Sequence, residues 1–345
     1  MFINTLKEIS KAIIASKTIA DELQAVDLLT VFFDQNINTK DFFDSKNEQL
    51  TKGGYALSSF HASICVDDAL RTSKFIKSTY KAIQELQKKF TNQPISILYA
   101  GCGPYATLLL PLLPLFKPNE LDIILLDINK SSIDSVKKIM NSPDFSSYKI
   151  QTIQADATSY QKPKNWPLHL LLTETMFKAL LAEPQVLITK NLAPQLETGG
   201  ILIPEEIKIS FGYAFFGNIP FLSSNESINV LFFDKLKCID EIEKKQLFSI
   251  TKDLDFVSKK NPENNHIKST FFELPKNFSN HPDVCLFTEI TVFDHFKLNT
   301  SESYITNPNC LLSLYTTQNA NFIQFNYQYE SIPNWTYQLK QVESE

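Results

Sequence analysis

No two cysteines in this 345-residue chain stand in a close CxxC pair. The five present, Cys65, Cys102, Cys238, Cys285 and Cys310, are scattered and odd in number, a pattern that suits reduced thiols in a cytoplasm. The five histidines, His61, His169, His266, His281 and His295, show no ligand spacing, so the sequence offers no metal site. A membrane-spanning run is also missing. The greasiest stretch, LLLPLLPLF at 108–116, falls far short of the ~20 residues needed and is broken by two prolines. The first twenty-odd residues mix Lys7, Glu8, Lys11, Lys17, Asp21 and Glu22 among apolar ones, which is not the pattern of a secretory signal. There is no basic excess: a formal charge of −5 argues against nucleic acid as main partner, because binding phosphates calls for a basic face. No exact internal repeat and no low-complexity tail occurs. The expectation is a soluble, cytoplasmic protein with no membrane, nucleic-acid or metal partner.

What is present is an ordinary globular composition, 43% hydrophobic and 21% charged. The length suits two domains, since single cores stop growing near ~250–300 residues. Residues 1–50 read as helical, with Leu6, Ile9 and Ile13 and then Leu23, Val26, Leu29 and Val31 at three- and four-residue steps. Gly53 and Gly54 mark a turn. Asp67 opens a helix with Leu70, Phe75, Ile76, Tyr80 and Ile83 inward. Arg71 lies near the start of that helix, where the dipole offers a cation nothing, so it has either a specific anion or a surface salt bridge to meet.

A strand–turn–helix–strand unit follows. Ile95 to Ala100 is a strand, GCGPYATLLL leaves it, and a second strand from Asp122 to Leu126 ends at Asp127. Gly101 and Gly103 allow a sharp turn and close approach of a ligand. An acid at the tip of the next strand, here Asp127, is the group that accepts hydrogen bonds from ribose hydroxyls, and its distance from Gly103 fits the ~20 residues expected. Tyr105 and Ala106 stand where a dinucleotide fingerprint has its third glycine, and Pro111 and Pro114 fall where a helix should run, so a short or kinked helix is expected. Alternation continues with a helix from Ser131 to Met140, a strand from Lys149 to Ile153, and Asp156 beyond its tip, where an adenine amino group would be met. A fourth strand ends at Thr173, a helix runs from Pro184 to Leu196 with Glu183 near its N-cap, and residues 201–204 form a fifth strand. After Pro204 the period becomes two, at Ile207, Ile209 and Phe211 and again within 287–292, 311–315 and 322–329. The stretch 223–283 is mixed and reads as an arm or long loops.

Glu174 directly follows the fourth strand and Glu183 comes nine positions later, a spacing that lets a short loop double back and point both carboxylates into one pocket. Two buried anions resist ionisation unless a cation sits between them, and a guanidinium, planar and permanently charged, is best shaped for that place. The plainer alternative is a polar strand end and a helix-start residue.

ILYAGCGPYATL, ILLDINKSSIDSVKKIM and QADA resemble a class I S-adenosylmethionine-dependent methyltransferase. TETMFKALLAE (173–183) resembles the double-glutamate loop of the protein arginine methyltransferase family, and DDALRT (67–72) is similar to the segment preceding that family's first strand. ETGGILIPEEIKI resembles the family's exit from its Rossmann half. The resemblance implies an α/β fold: a helical N-terminal extension at 1–52, a Rossmann-like class I methyltransferase domain at 53–204, and a β-rich, barrel-like C-terminal domain at 205–345. It implies S-adenosyl-L-methionine as cofactor, held by Arg71, Ala100, Gly101, Cys102, Gly103, Asp127, Ile128, Ala155, Asp156 and Glu174. Glu174 and Glu183 would orient and polarise a guanidino or amino nucleophile, with Met176 beside the transferring methyl or simply filling the core. The acceptor would be an arginine-containing peptide or protein, and the family's head-to-tail dimers imply a homodimer with 212–250 as its arm. Thr306 is followed by Asn307 and Pro308, so the family's Thr-His-Trp motif lacks both His and Trp. A small-molecule acceptor on the same scaffold, or a non-catalytic cofactor-binding protein, therefore stays open.

Overall fold

The computed structural model describes residues 2–37, 47–222, 239, 241–254, 266–276, 279, 282–317 and 320–341. Two helices open the chain, α1 (Phe2–Ala15) and α2 (Ile19–Asn36). Thr18 and Asp21 form a reciprocal capping box that starts α2. A hairpin of β1 (Gln49–Thr51) and β2 (Gly54–Ala56) comes next, so the boundary expected at residue 52 falls in its turn. A short helix α3 (Ser59–Ile64) leads to α4 (Ala69–Lys89), which begins after Asp68, two residues later than Asp67.

Five parallel strands make the central sheet: β3 (Ile95–Ala100), β4 (Leu121–Asp127), β5 (Lys149–Gln154), β6 (Leu170–Thr173) and β7 (Ile201–Ile203). Between them run α5 (Lys130–Met140) and α6 (Gln185–Leu192). The strand order is β5-β4-β3-β6-β7. The chain therefore changes direction between β3 and β6, and a crevice opens at their carboxyl ends, where open α/β sheets bind ligands. Every residue of β3, β4 and β6 is buried, as continuous apolar runs in a covered parallel sheet require.

Two expected helices are altered, both at proline. After β3 the chain forms a 3₁₀ segment, Leu110–Leu115, because Pro111 and Pro114 cannot donate to the preceding turn. Pro111 O, which loses its donor at Pro114, is bonded by Ser10 of α1, and Tyr148 Oη lies 2.7 Å from Leu113 O and 3.1 Å from Phe116 O. α1 packs against this stretch through Leu6, Ile9 and Ile13, and Phe33 of α2 stacks on Tyr105 at 4.7 Å, so the N-terminal helices cover the flank that a regular crossover helix would have covered. The second is the helix expected over 184–196. It is α only from Gln185 to Leu192 and ends as a 3₁₀ turn, Ala193–Gln195, at Pro194; Pro184 is the cap, so Glu183 lies one residue outside it.

Beyond residue 205 the strands among the described residues are all antiparallel. β8 (Glu206–Ala214), β9 (Lys244–Ile250), β11 (Asp283–Phe293), β12 (Phe296–Leu298) and β13 (Asn309–Ser313) form one sheet around β11 and β8; β10 (His266–Glu273), β14 (Phe322–Gln328) and β15 (Asn334–Lys340) form another. The two sheets pack through aromatic rings, with Phe211 centred 4.6 Å from Phe272 and 4.5 Å from Phe325. β8 and β9 pair with each other in the core, so the ends of the segment expected to be an arm, 212–214 and 244–250, are sheet; residues 223–238, 240, 255–265, 277–278 and 280–281 lie outside the described ones. Among the described residues no helix is long and apolar enough to cross a membrane, and no cluster suits a metal ion.

Candidate functional site

A cleft lies at the carboxyl ends of the parallel strands. Its floor is the turn leaving β3. Gly101 and Gly103 both have left-handed φ, +72° and +63°, and a Cβ on Gly101 would stand 2.4 Å from Thr175 Cγ2. The Gly101 and Cys102 amides donate to Leu126 O at 2.8 and 3.1 Å, which pins the turn to the end of β4. One residue on, the Asp127 carboxylate accepts the Gly103 amide at 2.9 Å and the Asn129 amide at 2.8 Å. Burial pushes its pKa up, while those amide hydrogen bonds pull the other way. Asp156 caps its own turn by accepting from the Thr158 amide at 2.8 Å and hydroxyl at 2.7 Å, and it also faces the cleft.

On the opposite wall stand the two glutamates. Glu174 leaves β6 and meets Arg71 at 3.2 Å between Oε2 and Nη1. Arg71, 6% exposed, also donates from Nη2 to Cys65 O at 2.5 Å, and its Nε lies 3.9 Å from Asp68. Burial opposes the charge on Arg71, but Glu174, Cys65 and Asp68 overcome it and its pKa lies above the usual value. For Glu174 the balance goes the other way: burial raises the carboxyl although Arg71 and the Met176 amide pull it down. Glu183 is 8% exposed and lines the same cleft. Burial first, then the neighbouring Glu174 and Glu48, push it up to about 8, against the pull of Arg71. One guanidinium serving two carboxylates leaves Glu183 the natural place for a further cation.

Of the residues expected at the site, Arg71, Gly101, Cys102, Gly103, Asp127, Ile128, Ala155, Asp156, Glu174, Met176 and Glu183 all line this cleft. Ala100 does not. As the last residue of β3, paired with Leu126 and Thr173, its side chain is spent in the apolar core beneath the sheet, because alternate residues of a strand face opposite sides. Sequence reasoning missed the parts played by three residues. Gln185 Oε1 accepts from both the amide and the hydroxyl of Thr175 at 2.9 Å, which holds the residue after Glu174 in place. Asp68 accepts from Ser303 Oγ at 2.6 Å and Tyr304 N at 3.0 Å and so ties the start of α4 to the C-terminal region. Asn307, at the position of the missing histidine, is buried and bonds Leu222 through both ends of its amide, accepting its N–H and donating to its C=O at 2.9 Å each. One signal was available: Arg71 is the only arginine among the 33 basic Lys and Arg residues of the chain. A sequence that uses lysine for every other cation keeps its planar, permanently charged guanidinium for this place.

No protein-family model matches the sequence, and no curated protein is similar to it in sequence. Solved structures are similar in shape. The PRMT1 enzyme–prozyme heterotetrameric complex of Trypanosoma brucei with AdoHcy aligns with 81% of this chain and 92% of its own, at 11% identity and a TM-score of 0.51. A crystal structure of PRMT6 aligns with 80% of this chain and 97% of its own, at 11% identity and a TM-score of 0.50. The chain has the fold of a protein arginine methyltransferase. At that identity the likeness is one of architecture, a parallel sheet with flanking helices followed by an antiparallel strand-rich region, and the chemistry rests on the residues of the cleft.

Proposed function

We propose that this protein is an S-adenosylmethionine-dependent methyltransferase that acts on a guanidino nitrogen gripped by Glu174 and Glu183. The observation that carries the reading is that two buried carboxylates and a glycine turn with its ribose-type acid open into one cleft. AdoHcy in the Trypanosoma complex, whose fold this chain shares, supports the same cofactor class. The residues fit it: Gly101 and Gly103 leave room for backbone approach, Asp127 and Asp156 present carboxylate oxygens where ribose and adenine would lie, and Arg71 is a buried cation able to take a carboxylate. Bound there, the cofactor would supply an electrophilic methyl group on a sulfonium.

The chain's own work is positioning and electrostatics. Holding nucleophile and methyl in line is worth up to about 7–11 kcal/mol of the barrier. Glu174 and Glu183 draw positive charge onto the nitrogens they bind, which leaves the remaining nitrogen richer in electron density, and they oppose the combined positive charge of both reactants. Met176, 3% exposed, packs against the reacting region. Glu183, up to about 8 in the free protein, holds its proton at neutral pH and releases it when a cation takes its place beside Glu174.

A second reading, transfer to a small guanidino or amino compound, is favoured by Asn307. Its amide is anchored to the Leu222 backbone through both ends, and no imidazole stands at that position to meet a peptide acceptor. In either case we place the protein in the cytoplasm and expect a homodimer. The test is a methyl-labelled cofactor incubated with arginine peptides, with small guanidino compounds and with cell extract. The single arginine is buried, so label on the protein's own arginines cannot confuse the result. Peptide-borne label supports the first reading and small-molecule label the second; measured cofactor affinity with no transfer to any pool refutes both.

A further inference from the structure

The loop that carries the two glutamates is held in a conformation its own residues disfavour. Ala179, Leu180 and Ala182 all have left-handed φ, +53°, +56° and +64°, and none is glycine. Such angles cost free energy at each residue and persist only where surrounding structure over-determines them. What determines them here is a set of hydrogen bonds from far along the chain. Trp335 Nε1 of β15 donates to Ala179 O at 2.8 Å, and Tyr327 Oη of β14 donates to Leu180 O at 2.7 Å. Thr288 Oγ1 of β11 accepts the Ala179 amide at 3.0 Å, and Pro333 O accepts the Ala182 amide at 2.9 Å. Tyr55 N of β2 donates to Ala182 O at 2.7 Å from the other side. Tyr327 and Trp335 are opposite each other in the β14–β15 ladder, their rings 4.9 Å apart and backed by Phe248 at 5.5 and 5.8 Å.

We propose that Tyr327 and Trp335 are positioning residues for the carboxylate pair: their two ring donors clamp the carbonyls of Ala179 and Leu180 and thereby fold Glu183 back beside Glu174. The proposal rests on the methyltransferase reading for its kinetic consequence but not for its structural one. It gives the C-terminal sheets a task at the site that needs no contact with substrate. Both donors are buried, and the loop between Thr175 and Pro184 contains no glycine, so without them the backbone would relax toward ordinary angles and carry Glu183 away.

The test removes each donor, with Tyr327→Phe, which keeps the ring, and, independently, Trp335→Phe, which keeps an aromatic side chain but a smaller one. The first readout is the titration of Glu183, followed by carbon-13 NMR of glutamate carboxyls and assigned with Glu183→Gln. The charged groups that face Glu183 are Glu174, Arg71 and Glu48. The parent is expected to titrate near 8, and in either variant the value is expected to fall by at least one pH unit as Glu174 recedes and water enters. The second readout is kinetic: kcat drops at least tenfold while affinity for S-adenosylhomocysteine stays within twofold. A third variant, Ala179→Gly combined with Tyr327→Phe, lowers the cost of the left-handed angle and is expected to recover part of both. Unchanged titration and kcat in either folded single variant overturn the proposal, and failure of glycine to recover anything overturns the role of backbone strain. If the parent transfers no methyl group, the functional reading fails, and the titration still decides the positioning role.

Discussion

Replacing Glu183 with glutamine separates the energetic burden of this carboxyl from its use. Its pKa is about 8 in the folded protein against an ordinary value of 4.5, because burial and Glu174 oppose its charge. Below pH 4.5 the group is neutral in both folded and unfolded chains, and stability has its full value. As pH rises from 4.5 toward 8 the unfolded chain gives up the proton and the folded chain keeps it, so stability is lost across that window. Above 8 both forms are ionised and the loss levels off. At about 1.36 kcal/mol per pH unit the limit is near 5 kcal/mol, and water reaching the carboxylate lowers the expected figure to about 2–4 kcal/mol. Glutamine matches the shape of the neutral acid and carries no such penalty. Glu183→Gln should therefore equal the parent at pH 4.5 and exceed it by about 2–4 kcal/mol at pH 8.5. Urea unfolding at matched ionic strength, followed by tryptophan fluorescence at several pH values, measures the difference; using the difference cancels the titrating groups that do not interact with Glu183. The same variant should bind cofactor and transfer nothing. A difference that stays constant with pH refutes the argument.

Glu174→Gln is expected to act in the opposite direction at neutral pH, because it leaves the buried Arg71 guanidinium without its 3.2 Å anion; a loss of about 1–3 kcal/mol in urea unfolding is expected, with a shift of the single arginine Nε resonance. Gly101→Ala should cost about 1–3 kcal/mol through its φ of +72° and the approach to Thr175 Cγ2, and adding Thr175→Ser should recover the steric share alone, as read by melting temperature. Asp127→Asn offers one carbonyl where two amides, Gly103 and Asn129, now find carboxylate oxygens. Affinity for S-adenosylhomocysteine by calorimetry should fall at least tenfold, with the Glu183 titration unmoved.

Much of the scaffold was legible because its causes are local. Apolar runs such as ISILYA and LDIILLD form strands buried on both faces wherever they stand in a parallel sheet, and glycines after the first of them mark the cofactor-type turn. Pro111 and Pro114 warned of a poor helix, since a residue without an amide hydrogen cannot continue one; the 3₁₀ segment follows from that, whereas its cover by α1 does not. Ala100 was assigned to the site from its neighbours in the motif, and strand alternation turned it to the other side.

Local chemistry was enough to specify the succession of parallel strands, the glycine turn, the acid at the tip of β4 and the nine-residue interval between the glutamates, because each depends on residues close together along the chain. Only tertiary structure decided that Arg71 is divided among Glu174, Cys65 O and Asp68, that Asn307 is committed to Leu222, and that Tyr327 and Trp335 hold a loop some 150 residues earlier. The physical reason is that a buried polar group must find its partner wherever the folded chain brings one, and sequence distance places no limit on which it will be.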